Sequence, residues 1–161
     1  MRSARGGRVL DVAFLSDYAA LIEGLIELYE ATFDKRWLDQ ASALSRSTIE
    51  RFWCESEGGF YFTPADHESL IARGKDARDN AVPSGNSLML TNLLRLGTML
   101  DDATFRQHAE RMMQAFAADV AGSPWSSERF LAGVDFARSE PIEIAIAGDP
   151  KDPRTQALLR R

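Results

Sequence analysis

Two segments of the chain read as one helical hairpin written twice, and this repeat constrains the fold more than any single motif. Leu25-Ile26-Glu27-Leu28 aligns with Leu93-Leu94-Arg95-Leu96 at an offset of 68 positions. The alignment continues without a gap through Asp34 and Asp102, Trp37 and Phe105, and Ala41 and Ala109. Each copy has an apolar helix, a short Asp-containing turn and a second helix opened by an aromatic residue. Helical hairpins of this kind cannot bury their apolar faces alone, so they stack into a solenoid or close into a ring. Two copies are few for either, which points to part of a larger helical array.

The apolar spacing predicts four helices in these two copies, over about 16–32, 35–53, 84–100 and 103–120, with Asp34 as an N-cap. Gly24, in the middle of the first, costs about 1 kcal/mol relative to alanine; close packing against a neighbouring helix is the expected reason for it. Between the copies, Glu57-Gly58-Gly59-Phe60-Tyr61-Phe62-Thr63-Pro64 combines a permissive Gly-Gly with an aromatic run, which predicts a short strand or hairpin insert. A polar loop then runs over 65–83. A further helix is predicted over 126–138. Period-two alternation over 141–148 predicts a strand. Asp152-Pro153 opens a last helix. The basic, glycine-containing residues 1–11 are expected to be a disordered leader, 12–138 the helical array, and 139–161 the strand plus a truncated helix.

A chain of 161 residues, 45% of them hydrophobic, suffices for one domain with a core. The net charge of −5 and the scattered arginines exclude a nucleic-acid groove, which needs a basic face interleaved with aromatics. No apolar run approaches the ~20 residues of a membrane span. Cys54 is the one cysteine, so no internal disulfide forms, which fits a reducing, cytoplasmic setting. With His67 and His108 as the only histidines, a Cys/His zinc site is short of ligands, and no metal or other cofactor is expected. Neither histidine has a Ser or Cys nucleophile near it in sequence, so no triad is expected, and Cys54 is expected to be inert at a helix end. Gly148-Asp149-Pro150-Lys151 lacks the spacing of a phosphate loop.

Antiparallel hairpins place the first helices of both copies in the same direction, so their N-termini, with unpaired backbone N–H groups, share one end of the array. Asp17, Tyr18, Arg73, Lys75, Ser84 and Asn86 are expected to gather there as a ligand-binding face. Asp76 and Asp79 are the candidate acid–base pair. The same residues also have structural readings, as caps and as an ion pair bracing the loop. Phe60, Tyr61 and Phe62 read either as packing or as a sugar platform.

At these residues a resemblance enters. Phe14-Leu15-Ser16-Asp17-Tyr18-Ala19, Gly24-Leu25-Ile26-Glu27-Leu28-Tyr29-Glu30-Ala31, Gly58-Gly59-Phe60-Tyr61-Phe62 and Asp79-Asn80-Ala81-Val82-Pro83-Ser84-Gly85-Asn86-Ser87 stand in order. So do Arg73-Gly74-Lys75 before the last of these, and Ile144-Ala145-Ile146-Ala147-Gly148-Asp149 after it. Together they resemble the YyaL-like family of thioredoxin-domain proteins, which includes spermatogenesis-associated animal members. The resemblance implies a mostly α fold, part of an (α/α) toroid related to N-acylglucosamine 2-epimerases and six-hairpin glycosidases, with a short β insert. It also implies a carbohydrate-related pocket, inactive in this chain alone. The partners implied are a carbohydrate ligand and the remaining toroid and thioredoxin-like domain of an intact homologue; exposed apolar helix faces add self-association as a further expectation. A non-catalytic helical interaction module is the alternative. The chain departs from the family pattern at Ser16 and Cys54, where the family carries Asp, and at Asn80, where it carries Gly.

Overall fold

The computed structural model describes residues 3–5, 8–10, 13–65, 73–140, 142, 144, 146–149 and 151–159. His67 lies outside them. The fold is mostly α. The first copy of the repeat is α1 (Leu15–Thr32) and α2 (Lys35–Phe52). The second is α3 (Gly85–Met99) and α4 (Ala103–Gly122). A 3-10 turn (Pro124–Ser126) leads to α5 (Glu128–Arg138), and α6 (Pro153–Leu159) follows.

The repeat holds at the level of single residues. Asp34 caps α2 by accepting from the Arg36 N–H, and Asp102 caps α4 by accepting from the N–H groups of Thr104 and Phe105. Each carboxylate satisfies backbone donors that the helix itself leaves open. The residue before each cap is left-handed: Phe33 has φ +54° and Asp101 φ +50°. Both turns therefore reverse the chain by the same device. Aspartate tolerates this conformation, whereas phenylalanine pays for its Cβ. Phe33 is also half exposed. Phe33→Asn is expected to raise stability by roughly 1 kcal/mol, seen as a higher urea midpoint at unchanged slope.

α1 packs against α2 and α3, and α3 against α4 and α5. This makes α1, α3 and α5 one layer, with α2 and α4 behind α1 and α3. The central helix α3 is buried almost all round, as expected of a helix enclosed by three others. Ile22, Ile26, Met89, Leu90, Leu93 and Leu96 from the first layer meet Phe52, Phe105, Met112 and Phe116 from the second in one core. Arg95 of α3 reaches back to Glu27 and Glu30 of α1, each at 2.7 Å. Glu27 and Arg95 are the same repeat position in successive copies.

Three expectations are corrected. The insert is the hairpin-like turn of the two forms expected, and not a strand: a single antiparallel bridge joins Trp53 and Phe60. Gly58 and Gly59 have φ of +78° and +77°, which folds the segment back onto the end of α2. Tyr61 N–H then donates to Phe52 and Phe62 N–H to Gly74, so its donors go to a helix end and a loop and no ladder extends. Of the strand expected over 141–148, residues 141, 143 and 145 lie outside the described ones; the described residues 142, 144 and 146–148 are not in strand conformation, and Ile142 and Ile144 are 89% and 81% exposed. Finally, Ser3–Arg5 (β1) and Arg8–Leu10 (β2) pair antiparallel, Ala4 opposite Val9, in the stretch expected to be a disordered leader. Val9 and Leu10 give that stretch its strand-forming residues.

Candidate functional site

The N-termini of the first-layer helices meet at one end. At Gly85, the first residue of α3, a Cβ would lie 2.7 Å from Leu15 Cγ and 3.2 Å from the Ser16 nitrogen. Only glycine lets the starts of α1 and α3 approach this closely. Asp79 joins α5 to the same end: Oδ1 accepts from the Ser84 N–H and Oδ2 from the Arg129 N–H, each at 2.8 Å. One carboxylate thus holds two helix starts in register.

Beside the starts of α1 and α3 lies an open depression of about 430 Å³. Ser16, Asp76, Arg78, Asn80 and Ser84 give it hydroxyl, carboxylate, guanidinium and amide groups, and Phe14, Phe62, Val82 and Pro83 give it apolar patches. Asp76 Oδ1 accepts from the Arg78 N–H at 3.1 Å, which folds the loop at this wall.

Of the residues expected on the binding face, Asp76 and Ser84 line the depression. Ser84 also caps α3 by accepting from the Ser87 N–H. Asp17 Oδ2 accepts from the Phe14 N–H at 2.9 Å, and so closes the start of α1. Tyr18 turns toward α2, where its hydroxyl accepts from Arg51 at 2.5 Å and its ring meets Phe52 edge-on. Asn86 has no exposed surface. Its Oδ1 accepts from the Phe60 N–H at 2.8 Å, while Nδ2 donates to the carbonyls of Phe60 (2.9 Å) and Asp76 (2.8 Å). Asn86 therefore ties the insert and the Asp76 loop to α3.

Arg73 and Lys75 gather instead around Tyr61. The Arg73 guanidinium lies 4.1 Å from that ring's centroid and donates to the Thr63 carbonyl. Lys75 pairs with Glu57 at 2.7 Å and donates to the Gly58 carbonyl at 2.8 Å. Burial alone lowers the Lys75 ammonium, but Glu57 and Cys54 outweigh it and hold it above the usual lysine range.

This group surrounds Cys54, which sequence reasoning left inert. The sulfur lies 3.1 Å from the Tyr61 hydroxyl and 3.6 Å from that of Ser56. Burial pushes the thiol up; hydrogen bonds from Tyr61, Ser56, the backbone of Glu57 and Lys75 outweigh it and bring it down from 9.0 to about 7. The signal available in the sequence was the departure at Cys54 itself, a thiol where an acid was expected, set among donors suited to an anion. Because the folded thiol ionises first, the unfolded chain binds more protons between pH 7 and pH 9. Stability from this group is therefore complete above pH 9 and lost as pH falls through 7. The wild type is expected to gain on the order of 2 kcal/mol over that range relative to Cys54→Ser. Urea unfolding of both proteins at the two pH values measures it; parallel profiles would remove the thiolate from the account.

Among the described residues, no helix is long and apolar enough to cross a membrane, and no group of three or more His, Cys, Asp or Glu is placed to hold a metal. A second cavity, of about 250 Å³, lies toward the C-terminal ends of α3 and α5, between Leu94, Met113 and Phe136. It lies away from the converging helix starts.

No protein-family model matches the chain. Over 148 residues, 91% of its length, it is 32% identical to spermatogenesis-associated protein 20 of Mus musculus and 30% identical to that of Homo sapiens. An uncharacterized protein of Caenorhabditis elegans is 25% identical over 139 residues. The chain spans 19% of the length of each of these relatives. This chain is accordingly related to the spermatogenesis-associated protein 20 family, through a stretch that carries the repeated hairpin and the depression between its helix starts.

Proposed function

We propose that this chain is part of an (α/α) toroid whose depression, at the starts of α1 and α3, takes a polyhydroxylated, sugar-like ligand. The convergence of those helix starts on Ser16, Asp76, Arg78, Asn80 and Ser84 supports this reading most directly. Alternating donors and acceptors match the hydroxyls of a sugar, and the Phe14 and Phe62 rings match the apolar face of a pyranose. In this reading Asp76 is the acid that faces the ligand, and Asp79 and Asn86 hold the walls. Any acid–base chemistry belongs to an intact homologue that supplies the rest of the pocket, in a cytoplasmic setting. Titration of the ¹⁵N-labelled chain with hexoses and N-acetylhexosamines tests it. Amide shifts are expected at Asn80, Ser84 and Gly85, and loss of those shifts in the double variant Asp76→Ala, Arg78→Ala. Spectra that do not respond, or respond equally in the variant, would overturn the proposal.

A second reading, a non-catalytic interaction module, is favoured by the exposed apolar side of α1, where Leu21 and Leu28 are 57% and 43% exposed. Asp76→Asn and Leu28→Asp, each in a full-length relative, separate the two. Partner binding lost with Leu28→Asp and an intact fold favours the module, whereas turnover lost with Asp76→Asn favours the pocket.

A further inference from the structure

Among the described residues, Arg78 is the one basic side chain lining the depression, and it is exposed. Its backbone is pinned on both sides. The Arg78 N–H donates to Asp76 Oδ1 at 3.1 Å, Ala77 is buried, and the Asp79 N–H donates to the Ser126 carbonyl at 2.6 Å. The guanidinium, by contrast, forms no ion pair or hydrogen bond among the described residues. The aspartates at this end are engaged with backbone: Asp17 at the Phe14 N–H, Asp79 at those of Ser84 and Arg129. Two further donors face no acceptor among the described residues, the backbone N–H groups of Ser16 and Gly85, and both residues line the same depression. Against these stands a single carboxylate in the lining, Asp76, with one oxygen already on the Arg78 N–H.

We propose that the ligand of this depression is an anionic sugar, whose carboxylate or phosphate pairs with Arg78 while Asp76 accepts from a hydroxyl. This inference rests on the sugar reading above and adds a charge to it. A guanidinium offers its N–H donors in a planar fork that matches both kinds of anion, and such charge-assisted bonds are about twice as strong as neutral ones. A neutral sugar is served by the amide of Asn80 and the hydroxyls of Ser16 and Ser84 alone, and would gain little from Arg78. The chain as a whole has a net charge of −5 and repels anions, so a preference for the charged sugar has to come from a local cation. Because the depression is open, solvent and salt weaken the pair, and the preference is modest, about tenfold.

Amide shifts of the ¹⁵N-labelled full chain, titrated in parallel with glucose, glucuronate, glucose-6-phosphate and inorganic phosphate, test this. At least one of the two anionic sugars is expected to bind about tenfold more tightly than glucose; which one does so separates carboxylate from phosphate. Arg78→Gln is expected to bring that ratio to about one, and Arg78→Lys to keep part of it. Arg138→Gln removes the same charge from another exposed arginine, at the end of α5, and is expected to leave the ratio unchanged. Added salt should lower the ratio in the wild type and not in Arg78→Gln. Glucose binding as well as both anionic sugars would overturn this inference and leave the sugar reading standing. A preference that survives Arg78→Gln, or falls equally with Arg138→Gln, would also overturn it. So would inorganic phosphate binding as tightly as the sugar phosphate, which would reduce the depression to a simple anion site. Silence toward every probe would overturn both readings together.

Discussion

Asn86→Ala is expected to lower stability more than any other single change considered, by about 3 kcal/mol or more. Its side chain makes three hydrogen bonds to backbone groups of Phe60 and Asp76. Alanine would leave those groups without their partner. An orphaned buried donor or acceptor costs about 1–3 kcal/mol, against the modest net worth of the bond itself. Because Phe60 belongs to the insert and Asp76 to the depression's wall, the loss is not confined to α3. Urea unfolding of the variant should show a lower midpoint, and amide shifts in the native state should reach both loops. A midpoint within about 1 kcal/mol of wild type would mean that water or a rearranged insert takes over these bonds.

Asp79→Ala is expected to cost about 2 kcal/mol or more, since it strips the acceptor from two helix starts at once. Asp79→Asn keeps one carbonyl oxygen for one of the two N–H groups and turns an amide donor toward the other, so it should fall between wild type and alanine. The comparison bears on function because its expected place at the converging helix starts made Asp79 a candidate acid or base. A stability ladder of Asp over Asn over Ala, with the Arg129 amide shifting along it, is the signature of a residue that joins α3 to α5. Equal stability of all three would release Asp79 from that role and return it to the chemistry of the depression.

Much of the helical frame was legible in the chain, for physical reasons that attach to particular residues. Asp34, Ser84 and Asp102 act as caps, because a short polar side chain before an apolar periodic run has few other uses. The repeat was legible because the two copies share buried positions, Ala41 and Ala109 among them, both without exposed surface. The insert was misread because an aromatic run signals burial as readily as a strand: Phe60 is fully buried in the core, with its backbone paired to an asparagine side chain. The residues 142 and 144 alternate correctly, yet alternation specifies a strand only where an edge exists to receive it. In the candidate site, residue type named the right loop but not the right partners. Asn86 reads as a surface amide in sequence, and only the return of the chain around Gly58 and Gly59 shows it to be enclosed. Lys75 and Cys54 are 21 positions apart, so no local pattern announces that the ammonium and the sulfur both lie beside Tyr61, one over its ring and the other at its hydroxyl.

The bond between Glu27 and Arg95 makes the two hairpins unlike where they touch. One repeat position holds an acid in the first hairpin and a base in the second, and these two side chains meet. Two identical hairpins, whether both of the first kind or both of the second, would set like charges face to face at that seam. The two hairpins therefore work as a keyed pair, and duplication alone, without divergence at this position, would not have produced a seam that closes.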